Sequence, residues 1–71
     1  MDKVKLIHDA ARHTLTIWLD DPQKEQICEE TPDEVILMKD ADGRVIGIEL
    51  LHYHPKGDEG IAVETVVRTA A

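Results

Sequence analysis

Phenylalanine is absent from this 71-residue chain, and Trp18 and Tyr53 are its only tryptophan and tyrosine. A core must therefore be built from Val, Ile and Leu. Those residues are largely β-branched and sit in short runs, which favours strands. Cysteine is nearly absent too. Cys28 stands alone, so no disulfide can close within the chain, and a lone thiol fits a reducing compartment. No local signature marks Cys28 as a nucleophile, and it reads as a small apolar residue. No stretch approaches the roughly 20 apolar residues of a membrane span. The start, Met1-Asp2-Lys3-Val4-Lys5, lacks the long apolar segment of a secretory signal. A cytoplasmic location is expected.

Basic charge is also scarce, with 8 Lys and Arg against 15 Asp and Glu, a net charge of −7. That balance repels a phosphate backbone, and no basic cluster offsets it, so the chain is not expected to bind nucleic acid by itself. It suits a basic protein partner, which electrostatics would steer, and it keeps the chain soluble. The length supports one domain, residues 1–71. A domain this short buries only about 60% of its unfolded surface, so its core is marginal.

What is present is alternation of period two. Val4, Leu6 and His8 form one such run, and Leu15, Ile17 and Leu19 a second. The short break Asp9–Arg12 between them predicts a hairpin. Asp20-Asp21-Pro22 stops the second run. Residues 23–31 hold only Ile27 and Cys28 as apolar side chains, which favours an edge strand over a helical turn. Val35–Lys39 reads as a strand apolar on both faces. Asp40-Ala41-Asp42-Gly43 is a tight turn in which Gly43 supplies a positive φ. Val45–Leu51 is a strand through Gly47, where a bulge or a close backbone approach is expected. Gly43 is expected to be the more demanding of these two glycines. Pro55–Gly60 is a loop by composition. Ile61–Arg68 is expected as a final strand, with a short helix starting near Asp58 left open. The fold class is thus mainly β, a small antiparallel meander, with α+β as the alternative.

One face collects Val4, Leu6, Leu15, Ile17, Leu19, Ile46, Ile48 and Leu50, joined by Val35 and Leu37. Ile7, Trp18, Ile36, Met38, Val45 and Leu51 fall on the other. A single layer cannot bury both faces. Some of this surface is expected to meet a partner chain or a second copy, giving a homo-oligomer, in the simplest case a dimer, through the face of Trp18. Trp18, Ile36 and Met38 are the expected contact residues, since aromatic and Met side chains are favoured at such surfaces.

Three pieces of the chain carry a resemblance. They are the stretch Asp9–Leu19 with its Leu15-Thr16-Ile17-Trp18-Leu19 strand, the acidic pair Glu29-Glu30, and Asp40-Ala41-Asp42-Gly43-Arg44-Val45-Ile46-Gly47-Ile48-Glu49-Leu50-Leu51. Together they resemble the YuzE-like family of small bacterial proteins, a domain family of unknown function. The chain departs from that pattern at Met38 and Lys39, and after Leu51. The resemblance implies a small sheet fold and no catalytic residue. Some members of that family look like halves of toxin–antitoxin gene pairs, which implies an acidic antitoxin-like partner of a small basic toxin as a third reading.

Four histidines are the only candidate chemistry. By strand phase His8, His13, His52 and His54 all point to the first apolar face at strand ends, where they could gather around zinc or another transition metal. His-x-His alone is a weak motif, and rim histidines closing a core are the simpler account. Asp40–Gly43 echoes the start of a calcium loop, but no glutamate closes a twelve-residue loop. Phosphate loops, nucleophile elbows and dinucleotide fingerprints are missing. Glu29 and Glu30 are adjacent, so a strand sends them to opposite faces. The leading expectation is a non-enzymatic, homo-oligomeric interaction module without a cofactor. A metal-dependent domain using the four histidines is the alternative.

Overall fold

The structure, a computed structural model, describes residues 3–55 and 60–69. Five strands form one antiparallel sheet: β1 (Lys5–Asp9), β2 (Thr14–Trp18), β3 (Ile27–Glu30), β4 (Val35–Lys39) and β5 (Val45–Leu50). The mainly-β expectation holds. The order across the sheet is β1-β2-β5-β4-β3. A pure meander would set β3 beside β2, but β5 takes that place. Its aliphatic residues match those of both neighbours: Leu15 and Val35 flank Leu50, while Ile17 and Leu37 flank Ile48. Such cross-strand pairs are the unit of sheet stability.

The connection from β2 to β3 therefore crosses the end of the sheet. Leu19 N donates to Ile46 O and Gln26 N to Lys39 O, both at 2.8 Å. Within it Pro22–Lys24 make a single 3-10 turn, capped by Asp21, whose Oδ1 accepts from Gln23 N at 2.9 Å. Both expectations for residues 23–31 thus have a counterpart. A helical turn comes first, and then β3 forms the sheet's outer edge.

The β4–β5 turn is held from inside. Asp40 is buried, and its Oδ1 accepts from Asp42 N at 3.0 Å and Arg44 N at 2.9 Å. Gly43 N donates to Asp40 O at 3.0 Å, and Gly43 sits at φ +82°. The carboxylate that echoed a calcium loop is turned onto the backbone instead.

The chain end differs from expectation. Ile61–Thr69 form neither strand nor helix. Gly60, Ile61 and Val63 lie against Leu6 and His8 of β1 without joining its ladder. β-branched residues supply strand propensity, but propensity alone does not make a ladder, and this segment does not pair with the outer edge of β1 beside it. Val63, Val66 and Val67 remain exposed. Most of the expected loop, Lys56–Glu59, and the helix start near Asp58 lie outside the described residues.

The core is thin. Among the described apolar residues only Leu15, Met38 and Ile46 are buried. The chain exposes 6105 Å², against about 4,400 Å² for a compact monomer of its mass. No helix among the described residues is long and apolar enough to cross a membrane.

Candidate interaction face

The register assembles the second face in two rows. Lys5, Trp18, Gly47, Met38 and Cys28 form one, and Ile7, Thr16, Glu49, Ile36 and Glu30 the other. Trp18 and Met38 come from the two neighbours of β5 and lean together over Gly47. A Cβ on Gly47 would lie 2.7 Å from Trp18 Cε3 and Cζ3 and 2.8 Å from Met38 Cε. The expected close approach is therefore real, and its cause is two side chains occupying the space above the glycine. A register shift at Met38/Lys39 adds the irregularity beside it.

The result is a shallow depression whose apolar wall is Ile7, Trp18, Cys28, Ile36 and Met38, with Glu25, Thr16 and Glu49 among them. Thr16 Oγ1 donates to Glu49 Oε2 at 3.4 Å. Trp18, Ile36 and Met38, singled out from the sequence, do meet on one face. Met38 is buried, while Trp18 and Ile36 are half-buried. The acidic flank of Glu25, Glu30 and Glu49 was not legible as a unit, because it depends on strand order.

The four histidines do not converge. His8 meets Tyr53 edge-on at 5.5 Å between ring centroids, and its buried Nε2 has no hydrogen-bond partner among the described residues. His13 and His54 lie with ring centroids 4.4 Å apart, their planes tilted by 38°. His52 lies apart, its Nε2 3.9 Å from Glu34 Oε1. The physical reason is backbone conformation. His13 and His52 adopt φ of 56° and 57°, and a left-handed residue breaks the alternation that placed all four on one face. Among the described residues no three His, Cys, Asp or Glu are grouped to hold a metal ion. Zinc at low micromolar concentration is accordingly expected to leave the melting temperature unchanged. A hundredfold excess over a dissociation constant would add about 2.7 kcal/mol, which is roughly ten degrees or more in a domain of this size. A rise of that size, abolished by His13→Ala/His54→Ala, would restore the metal reading.

A family model described as a protein of unknown function (DUF2283) matches residues 7–53, about two-thirds of the chain. The chain belongs to the DUF2283 family. No curated protein and no solved structure matches it. The DUF2283 match runs from mid-β1 to Tyr53, the residue whose N donates to His13 O at 2.7 Å. It takes in the Trp18–Gly47–Met38 contact and leaves out the tail.

Proposed function

We propose that this DUF2283 chain is a non-enzymatic, homo-oligomeric protein-interaction module, docking a partner on Trp18, Ile36 and Met38. The observation that carries the reading is that Trp18 and Met38 both close over Gly47, which gathers an aromatic and a thioether on one face. Glu25, Glu30 and Glu49 lie on the Cys28–Ile36 side of it, Lys5 lies beside Trp18 on the other side, and the chain carries a net charge of −7. Apolar anchors with carboxylates on one flank suit a basic partner that brings its own apolar side chains. The likeness of Asp40–Leu51 to the YuzE-like small bacterial proteins is compatible with this role. So is an acidic, antitoxin-like module acting in the cytoplasm on a small basic toxin.

The test compares immobilised wild type with Trp18→Ser in capture of partner proteins. A basic protein bound by wild type and weakened about tenfold or more by the variant is expected, because a central tryptophan commonly contributes over 1.4 kcal/mol. Equal capture by both chains would contradict the docking assignment.

A further inference from the structure

We infer that the outer edge of β3 takes an extended basic segment of another protein as a further strand, with a cationic residue opposite Glu30 and an apolar one opposite Cys28. This rests on reading the chain as a docking module for a basic partner, and it names how that partner's backbone is held. β3 ends the sheet, and nothing among the described residues pairs with its outer side. The ladder fixes which groups are open. Thr31 N donates to Val35 O at 3.0 Å, and Glu29 stands opposite Leu37 in the same register. Bonding alternates along an antiparallel strand. Ile27, Glu29 and Thr31 therefore bond inward to β4, while Cys28 and Glu30 turn their N–H and C=O groups outward. Gln26 N already donates to Lys39 O at 2.8 Å, and Pro32 has no N–H to offer. The open edge is thus Cys28 and Glu30, and an added strand would bond to both.

Charge selects the occupant. Every residue of β3 is exposed. From Glu25 to Glu34 the chain carries Glu25, Glu29, Glu30, Asp33 and Glu34 and no Lys or Arg. Lys39 of β4 matches Glu29, whereas Glu30 makes no ion pair among the described residues. Directly opposed residues share a face, so a cation opposite Glu30 would stand beside it on the Trp18 face. A residue opposite Cys28 would continue the row of Trp18, Gly47, Met38 and Cys28, where an apolar side chain extends the docking wall. In antiparallel pairing the segment reads cationic, any residue, apolar.

A second copy fits this edge poorly. The two-fold pairing that satisfies both open residues sets Cys28 opposite a second copy's Glu30 and Glu29 opposite its Glu29. Like charges directly opposed are destabilising. The carboxylates that keep copies apart therefore favour a cationic strand. The other edge, β1, starts at Lys5 beside Lys3 and has Gly60, Ile61 and Val63 against it, so it offers a basic segment no such match. With so few open bonds the edge alone holds weakly, in the transient class, and adds to what the Trp18 face contributes.

The probe is a synthetic eight-residue peptide with Thr at alternate positions and Arg and Val by turns between them. On binding to the wild-type chain, amide hydrogen exchange should slow several-fold at Cys28 and Glu30 and stay unchanged at Ile27 and Glu29, which already bond to β4. N-methylation of the peptide at Arg and Val, whose N–H groups would face β3, should weaken binding roughly tenfold or more. N-methylation at Thr should change it less than twofold. Glu30→Lys, at an exposed site, should weaken binding about threefold or more. Binding that perturbs Trp18 and leaves the Cys28 and Glu30 amides unprotected would overturn the edge assignment and leave docking on Trp18 standing. Protection of those amides on raising the chain's own concentration, without peptide, would put a second copy there and overturn the basic occupant. So would equal binding of a peptide with Glu in place of Arg. No binding at millimolar peptide would overturn strand addition outright.

Discussion

Gly47→Ala is expected to lower the melting temperature by roughly ten degrees, more than Gly43→Val does. The added methyl would sit 2.7 Å from two ring carbons of Trp18. The Met38 methyl, at 2.8 Å, can swing away, but Met38 is buried, and the indole can move only by leaving its seat on β5. Overpacking of this kind costs about 1–3 kcal/mol, and each kcal/mol moves the midpoint of so small a domain by about 4–8 °C. At Gly43 nothing lies within 4 Å of an added Cβ, so the penalty there comes from backbone strain at φ +82°, about 1–2 kcal/mol. This reverses the ranking that the sequence suggests. Thermal unfolding of both variants checks it, and a wild-type midpoint for Gly47→Ala would contradict the Trp18–Met38 contact. The same variant should also blunt partner capture, because the depression is built on that contact.

The second large effect is expected at Asp40. Asp40→Ala removes an acceptor that serves two backbone N–H groups and leaves the turn without its internal brace. Unsatisfied groups of this sort cost about 1–3 kcal/mol. Asp40→Asn keeps one oxygen acceptor and should retain most of the stability. The ion pair of Arg44 Nε with Asp40 Oδ2, at 3.4 Å, involves a largely exposed guanidinium and should contribute little. Arg44→Gln is therefore the near-silent control. Chemical denaturation of the three variants separates these contributions. Equal loss from Asp40→Asn and Asp40→Ala would assign the effect to charge and contradict the turn geometry.

Local features were legible because they rest on local physics. Alternation marked β1, β2, β4 and β5, and Asp40–Gly43 marked the turn, since side-chain period and positive φ are properties of neighbouring residues. Strand order was not legible. The partner of β2 is chosen by matching Leu15 and Ile17 with Leu50 and Ile48 over thirty residues away, and the alternation within each strand is equally consistent with other orders. The shared face of Trp18, Ile36 and Met38 came through because it needed only their phase within a strand. Their acidic neighbours did not, because Glu49 and Glu30 join them only through the order of the sheet. The common face expected for the four histidines was lost where strand phase was carried past strand ends, through His13 and His52. The tail differs because strand propensity alone does not bring a segment into the ladder, even beside the outer edge of β1.

The central proposal is that this sheet is a homo-oligomeric module that works by contact. Sedimentation of the wild-type chain across a dilution series tests it most directly. The account predicts a mass above the 8.0 kDa of one chain at high micromolar concentration, falling to that value on dilution. A folded chain that stays at 8.0 kDa throughout the series would contradict it.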